Sequence, residues 1–402
     1  MTTPAYDPAP LRAITPSLTS GTAHFDGPGG TQTPAPVAAA IADALCGPLS
    51  NRGRGTPAEV RADDYVMGAR AAMGDLLGAD PGGIVFARSM TQVTFDIART
   101  LAQGWGPGDE IIVTRLDHDA NVRPWVIAAE RAGATIRWAD FDPATGELPV
   151  DSITDLIGTN TRLVAVTGAS NLIGTRPDIA AITAAAHAAG ALAYIDGVHL
   201  TAHAPVDVAA LGADFYACSP YKFLGPHLGV LAASPDLLAS LLPDKLLPAT
   251  NVVPERFELG TLPYEMLAGV TAAVDVLADL IPGDGSRRER LLRSMAALEM
   301  YEDALSARLR AGLDADSRIR VYSNATHRTP THLFSVDGID APVVSEHLAR
   351  AGVDAPASNF YALECSRHLG LGDAGAIRAG LAPYSTAADV DRLLDALNAL
   401  PA

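Results

Sequence analysis

The chain predicts an α/β fold: a mostly parallel sheet with helices on both faces, followed by a smaller α+β domain. Three observations carry this reading. From residue 83 onward, short and nearly unbroken apolar runs alternate with segments of helical period. Strands of that kind are buried on both faces, as in a parallel sheet lying between helices. The alternation stops at "IPGDGSRRER" (281–290), a stretch of Gly, Pro and charge that marks a boundary. The chain is also long, at 402 residues with 48% hydrophobic and 19% charged, which suits two packed units and no disordered tail.

Taken in order, the first twenty residues are rich in Pro and Thr and are expected to form an arm (1–20) packed on the small domain. Residues 35–46 read as an alanine-rich helix ended by Gly47-Pro48, "SNRGRGTP" (50–57) as a loop, and 58–77 as a helix. Strand "GIVFA" leads to helix 91–102, and strand "EIIVT" to a helix around 121–132. Strand "TIRWA" is followed by "RLVAVTG" (162–168), helix 178–189 and strand "ALAYID". "ADFYAC" and "LGVLAA" complete the strands, and 264–280 is an apolar helix. The large domain is thus expected over 21–283. The small domain, 284–402, should hold a long amphipathic helix (about 287–311), strands near 319–322 and 331–336, a helix near 342–351, a helix over 359–369 and a last helix near 387–399.

Composition excludes some functions. A net charge of −17 and a pI near 4.9 argue against binding a nucleic-acid backbone, which needs clustered Lys and Arg. No apolar run has membrane-spanning length, so no membrane contact is expected. The N-terminus lacks a basic segment followed by an apolar one, which points to the cytoplasm. Cys46, Cys218 and Cys365 form no CxxC pair, so neither a disulfide framework nor a metal site is expected.

Ligands of open parallel α/β sheets bind beyond the carboxyl ends of the strands. After "GIVFA" come Met90 and Thr91, opening a helix whose free N–H groups suit a phosphate; an ordinary helix cap reads the same way. After "EIIVT" come His118, Asp119 and Asn121, and after "RLVAVTG" comes Asn171. Asp196 ends "ALAYID", with His199 three residues on, and Ser219 and Lys222 follow "ADFYAC". A carboxylate at the inner end of an apolar strand needs a partner, and a protonated pyridine nitrogen would serve. A lysine in an apolar turn has its charged form disfavoured and becomes a nucleophile toward an aldehyde. Pyridoxal 5'-phosphate requires such a lysine, such a carboxylate and a phosphate cup together. Taken singly, Asp196 also reads as a turn residue before Gly197, and Lys222 as a snorkelling surface lysine.

These residues carry a resemblance. "IDGVHLTAHAPVDVAALGADFYACSPYKFLGPHLGVL" resembles the class V aminotransferase superfamily, pyridoxal-phosphate enzymes of fold type I, and is most similar to its cysteine-desulfurase-like branch. The likeness runs from about Phe25 to the C-terminus. It implies a sheet of the seven-stranded type and a homodimer with the active site at the interface. It also implies Lys222 as the Schiff-base lysine, Asp196 on the ring nitrogen, and His199 and Asn171 near the phenolic oxygen. Met90, Thr91 and Ser219 would cup the phosphate. "FELGTLPYE" resembles the segment that crosses to the partner's site, which gives Thr261 that role. "IRAGLAPYST" resembles the segment carrying the arginine for the substrate carboxylate, here Arg378.

The departures narrow the function. Desulfurases of this family place a ring-stacking histidine in an "HHxN" stretch; here Asp117-His118-Asp119-Ala120-Asn121 puts Asp119 at that position, with His118 before it, and both are taken as catalytic candidates. Desulfurases also carry a loop cysteine before the arginine. The equivalent stretch, "GVDAPASNFYALECSRHLGL", has only Cys365, in the expected helix 359–369. Cys218 reads as core and Cys46 as structural. Side-chain selection is expected from Arg54 in "SNRGRGT", from the Asp119 loop, and from "SNFYAL" with Asn359. The resemblance therefore implies an enzyme acting on a small α-amino acid, with C–S cleavage favoured and no loop-cysteine persulfide step. An aminotransferase or epimerase is the alternative, and a non-catalytic accessory protein on the same fold is the alternative of another class.

Overall fold

The computed structural model describes residues 5–401; residues 1–4 of the expected arm, and Ala402, lie outside them. A two-residue strand, β1 (Ala23–His24), pairs with a later one described below. The central sheet then uses β2 (Ile84–Ala87), β3 (Glu110–Thr114), β4 (Thr135–Ala139), β5 (Thr161–Thr167), β6 (Leu192–Asp196), β7 (Phe215–Cys218) and β8 (Gly229–Ala233), in the order β2-β8-β7-β6-β5-β3-β4. Neighbours β4, β3, β5, β6 and β7 run parallel. β8 lies antiparallel to both β7 and β2.

The sheet forms because alternate residues of each strand enter different cores. Ile112, Val164, Val166, Ile195, Tyr216 and Val230 belong to one, and Ile111, Val113, Leu163, Ala165, Tyr194 and Leu231 to the other. Both faces are dry, so the strands have no polar side to show in the sequence. Each fully buried Val, Ile or Leu here contributes about 1.5–3 kcal/mol. The strand order reverses between β3 and β5, which opens a crevice at their carboxyl ends.

A second sheet has the order β12-β13-β10-β9, from β9 (Ile319–Val321), β10 (Thr331–Val336), β12 (Ala357–Ser358) and β13 (Ala376–Gly380); β11 (Val353–Asp354) is the partner of β1. Phe334, Val336, Ile377 and Ala379 pack there against Leu309, Leu348 and Leu393 in a third core. Helices Tyr264–Ala278 and Arg287–Ala315 flank the expected boundary at 283/284. The latter starts at a capping box of Ser286 and Glu289 and is longer than expected. Among the described residues no helix is long and apolar enough to cross a membrane.

The expected helix over 359–369 is a correction. The helix is Leu363–His368, and residues 359–361 precede it as a loop. Phe360 and Tyr361 have φ of 51° and 59°, outside the right-handed helical region, so no helix can run through them.

Candidate active site

The carboxyl ends of β5, β6 and β7, the turn after β7 and the loop before helix Leu363–His368 enclose a cavity of about 340 Å³. Its lining brings together Met90, Thr91, His118, Asn171, Asp196, His199, Ser219, Lys222 and Arg378, all singled out in the sequence.

Lys222 ends a short turn (Pro220–Lys222) between β7 and β8. Its Nζ donates to the carbonyls of Pro28 and Gly29, the latter at 2.9 Å. Burial, and then Arg378, depress its pKa to about 7, against the opposing pull of Asp26 and Asp196. A substantial share is therefore a free amine at neutral pH. The chain contains one other lysine, Lys245, which is outside the cavity lining and donates to the Ala249 carbonyl.

Asp196 is 4% exposed at the end of β6, beside Thr167 and Ala217. Its Oδ1 accepts the Val198 N–H at 3.0 Å, and it takes part in no ion pair among the described residues. Burial raises its pKa to about 6. A buried carboxylate that faces the cavity without an ion-pair partner of its own fits a protonated ring nitrogen.

Two further polar atoms are buried and unpartnered: Asn171 Oδ1 and His199 Nδ1. The other side of each is anchored. Asn171 Nδ2 donates to the Phe360 carbonyl at 3.0 Å, and His199 Nε2 meets Thr329 Oγ1 and Thr331 Oγ1, each at 2.9 Å. Ser89 caps helix Met90–Ala102 by accepting the Gln92 N–H, which leaves the first-turn N–H groups at Met90 and Thr91 for a ligand. Gly229 of β8 backs this corner so closely that a Cβ there would overlap Ser89 and Met90. The donor set therefore fits pyridoxal phosphate: an amine, a carboxylate, a helix N-terminus, and two orphaned polar atoms between them.

Arg378 lies on β13 and is 1% exposed, not a solvent arginine. Its Nη2 pairs with Asp26, its Nη1 donates to the Asn171 carbonyl at 3.1 Å, and its face lies 3.7 Å from the Phe360 ring centroid. Nε has no partner.

The structure corrects several expectations. In the 117–121 stretch the ionisable residue that lines the cavity is His118. Asp119 is not in the lining; its carboxylate turns away to Arg123 at 3.1 Å. His118 Nδ1 accepts the Ala120 N–H, so a neutral ring carries its proton on Nε2, and burial lowers its pKa to about 4. Asn359 is also outside the lining: its amide donates to the Asp373 carbonyl and accepts from the Tyr361 N–H, while Ser358, Phe360 and Tyr361 line the cavity. Arg54 is exposed and away from the lining; Arg52 beside it pairs with Asp63 and Glu255. Thr261 is no such correction: it is exposed and outside this chain's own cavity, and the role expected of it lies in a partner's site. Cys46 is exposed at the end of its helix and holds no core together. Cys218 and Cys365 are buried, and burial pushes both thiols up.

Reasoning from the sequence missed the turn Asp26–Gly30. "DGPGG" is the signal that was available there, since Gly and Pro at that density mark a backbone that approaches something closely. Here Gly29 packs against the Asp26 carboxylate, with no room for a Cβ.

Comparison with known proteins covers nearly the whole chain. The family profile described as aminotransferase class-V matches residues 23–393. An uncharacterized protein of Mycobacterium tuberculosis is 35% identical over 98% of this chain and all of its own. The cysteine desulfurase CsdA of Escherichia coli is 31% identical over 98% of this chain and 97% of its own, and its crystal structure superposes with a TM-score of 0.86 over 98% of each chain. The apo cysteine desulfurase of Thermococcus onnurineus superposes with a TM-score of 0.88, at 25% identity, over 99% of this chain and 98% of that one.

Proposed function

Since the chain belongs to the class-V aminotransferase family of pyridoxal-phosphate-dependent enzymes, we propose that it binds pyridoxal phosphate in this cavity and acts on a small α-amino acid, with C–S bond cleavage favoured. The carrying observation is that Lys222, with its pKa near 7, shares one cavity with the buried Asp196 and Arg378.

When bound, the cofactor supplies an aldehyde that captures amines and a ring that withdraws electrons from the substrate's α-carbon. Lys222 would hold it and would move the substrate's α-proton, a task suited to an amine that titrates near neutrality. Asp196 holds the ring nitrogen protonated. His199 and Asn171 would lie near the phenolic oxygen, and Ser219 with the Met90 and Thr91 corner would hold the phosphate. Arg378 takes the substrate carboxylate. His118 offers its Nε2–H to the cavity as a donor. We place the division between the large and small domains at 283/284, with the N-terminal arm on the small one.

We further propose a homodimer. Leu242, Leu246, Leu247, Val252 and Leu259 are exposed, which supports an apolar contact beside Thr261. Thr261 would then reach the partner's cavity. A cytoplasmic location accords with the absence of a spanning helix among the described residues.

A persulfide on this chain is disfavoured, because no cysteine lines the cavity among the described residues and the Cys365 thiol is buried and pushed up. Cys365→Ser is therefore expected to retain most turnover. Loss of all desulfuration in this variant, with normal cofactor content, would reinstate a thiol mechanism. The same lack of a cysteine favours transamination or epimerisation as the second reading, since both need only the proton transfer at Lys222. A panel of amino acids assayed in parallel for sulfide, pyruvate, alanine and keto-acid release separates these outcomes. Sulfide from a cysteine derivative supports the favoured one, and keto acid without sulfide supports the second.

A further inference from the structure

The loop before helix Leu363–His368, which lines the cavity, has a strained backbone. Phe360 and Tyr361 both have positive φ, and two consecutive bulky residues there are outliers. Such strain persists only where the surroundings over-determine it. Here Asn171 Nδ2 donates to the Phe360 carbonyl at 3.0 Å and the Asp119 N–H to the Tyr361 carbonyl at 2.7 Å. The Tyr361 N–H donates to Asn359 Oδ1 at 2.9 Å, and the Phe360 N–H to Ser358 Oγ at 3.2 Å. Behind them Gly375, at φ 74°, lies against the Ser358 and Asn359 backbone with no space for a Cβ. The loop is a fixed clasp.

The clasp presents two rings with different surroundings. Phe360 covers the Arg378 guanidinium. Tyr361 lines the cavity yet is 75% exposed, and its ring stacks on His118 at 5.7 Å and 27°. An aromatic ring this exposed adds little to the core, so the strain at Tyr361 is held for something other than packing. Charge limits what the ring can meet. The lining cations are Lys222 and Arg378, while His118 and His199 are kept neutral by burial. Arg378 is engaged by the substrate's own carboxylate and Lys222 by the cofactor and the α-proton, so a second carboxylate finds no further cation among the lining residues and faces Asp26. A flat or apolar side chain finds the Tyr361–His118 stack.

We propose that Tyr361 is the specificity-determining residue of this site and that the preferred substrate is an α-amino acid with an uncharged, flat or apolar side chain. This rests on the reading of Lys222 and Arg378 given above.

The test uses the holoenzyme and follows cofactor absorbance while L-phenylalanine, L-alanine and L-glutamate are titrated separately. The wild type is expected to bind phenylalanine tightest and glutamate weakest. In Tyr361→Ala, the loss for phenylalanine should exceed the loss for alanine by about three- to tenfold, the span of an aromatic pair. Tyr361→Phe should restore the preference. Tyr361→Gly should lose it while melting at or above the wild-type temperature, since glycine adopts this φ without strain. Equal losses for phenylalanine and alanine in Tyr361→Ala, or glutamate bound as tightly as phenylalanine by the wild type, would overturn the proposal. No spectral response to any amino acid, with the cofactor still reducibly bound, would overturn the reading beneath it and this proposal with it.

Discussion

Lys222→Ala is expected to abolish turnover on every amino acid and to remove the visible, borohydride-reducible cofactor chromophore. No other lysine can substitute, because Lys245 is the only one and it lies outside the cavity. Loss of the proton transfer alone removes about 10²–10⁴ in rate, before the loss of covalent cofactor capture is counted. The fold should survive. The turn at Asp26–Gly30 keeps its own bonds, from the Gly29 and Gly30 N–H groups to the Asp26 carbonyl, and a depressed-pKa lysine is a group that folding has already paid to bury. Absorbance of the purified protein and the parallel product assay check this. A variant that still shows a reducible chromophore would contradict the assignment.

Arg378→Ala is expected to lower kcat/KM for every amino-acid substrate by a factor of about a hundred or more. Truncating one partner of a buried, hydrogen-bonded charge pair costs roughly 2–5 kcal/mol, much of it from the anion left unpaired. The position supports this. Asp26, the Asn171 carbonyl and the Phe360 ring hold the guanidinium from three sides, and Nε keeps no partner. Asp26 is about a third exposed, so water can reach it once Arg378 is gone. Arg378→Lys should recover little, because an ammonium has no planar fork to offer a carboxylate. Unchanged kcat/KM in Arg378→Ala would place the carboxylate clamp elsewhere.

Much of this site was legible in the sequence because strand ends are legible. β5, β6 and β7 are buried on both faces, so polar residues at or just beyond their ends, Asn171, Asp196 and Ser219 with Lys222, stand out against apolar runs. The reversed direction of β8 was not legible, since an apolar strand reads the same whichever way it runs. The exchange of His118 and Asp119 turned on one backbone step. The Asp119 N–H is held by the Tyr361 carbonyl, far away in the chain, and its carboxylate by Arg123, four residues on. The 359–369 helix was misread because Asn359, Phe360 and Tyr361 look helix-compatible one by one. The left-handed geometry of Phe360 and Tyr361 is held by Asn171, Asp119 and Gly375, more than ten residues away in the chain. Short pairings such as β1 with β11 leave no periodicity at all.

The central claim is that Lys222 is the amine that captures the cofactor. It is tested most directly by mixing the cofactor-free wild-type protein with pyridoxal phosphate across a pH series, reducing with borohydride, and mapping the adduct by peptide mass spectrometry. An amine captures the aldehyde only when deprotonated, so capture should rise with pH through a midpoint near 7, well below the 10.5 of an ordinary lysine, with the adduct on the peptide containing Lys222. An adduct on Lys245, or on Lys222 with a midpoint near 10.5, would contradict the account.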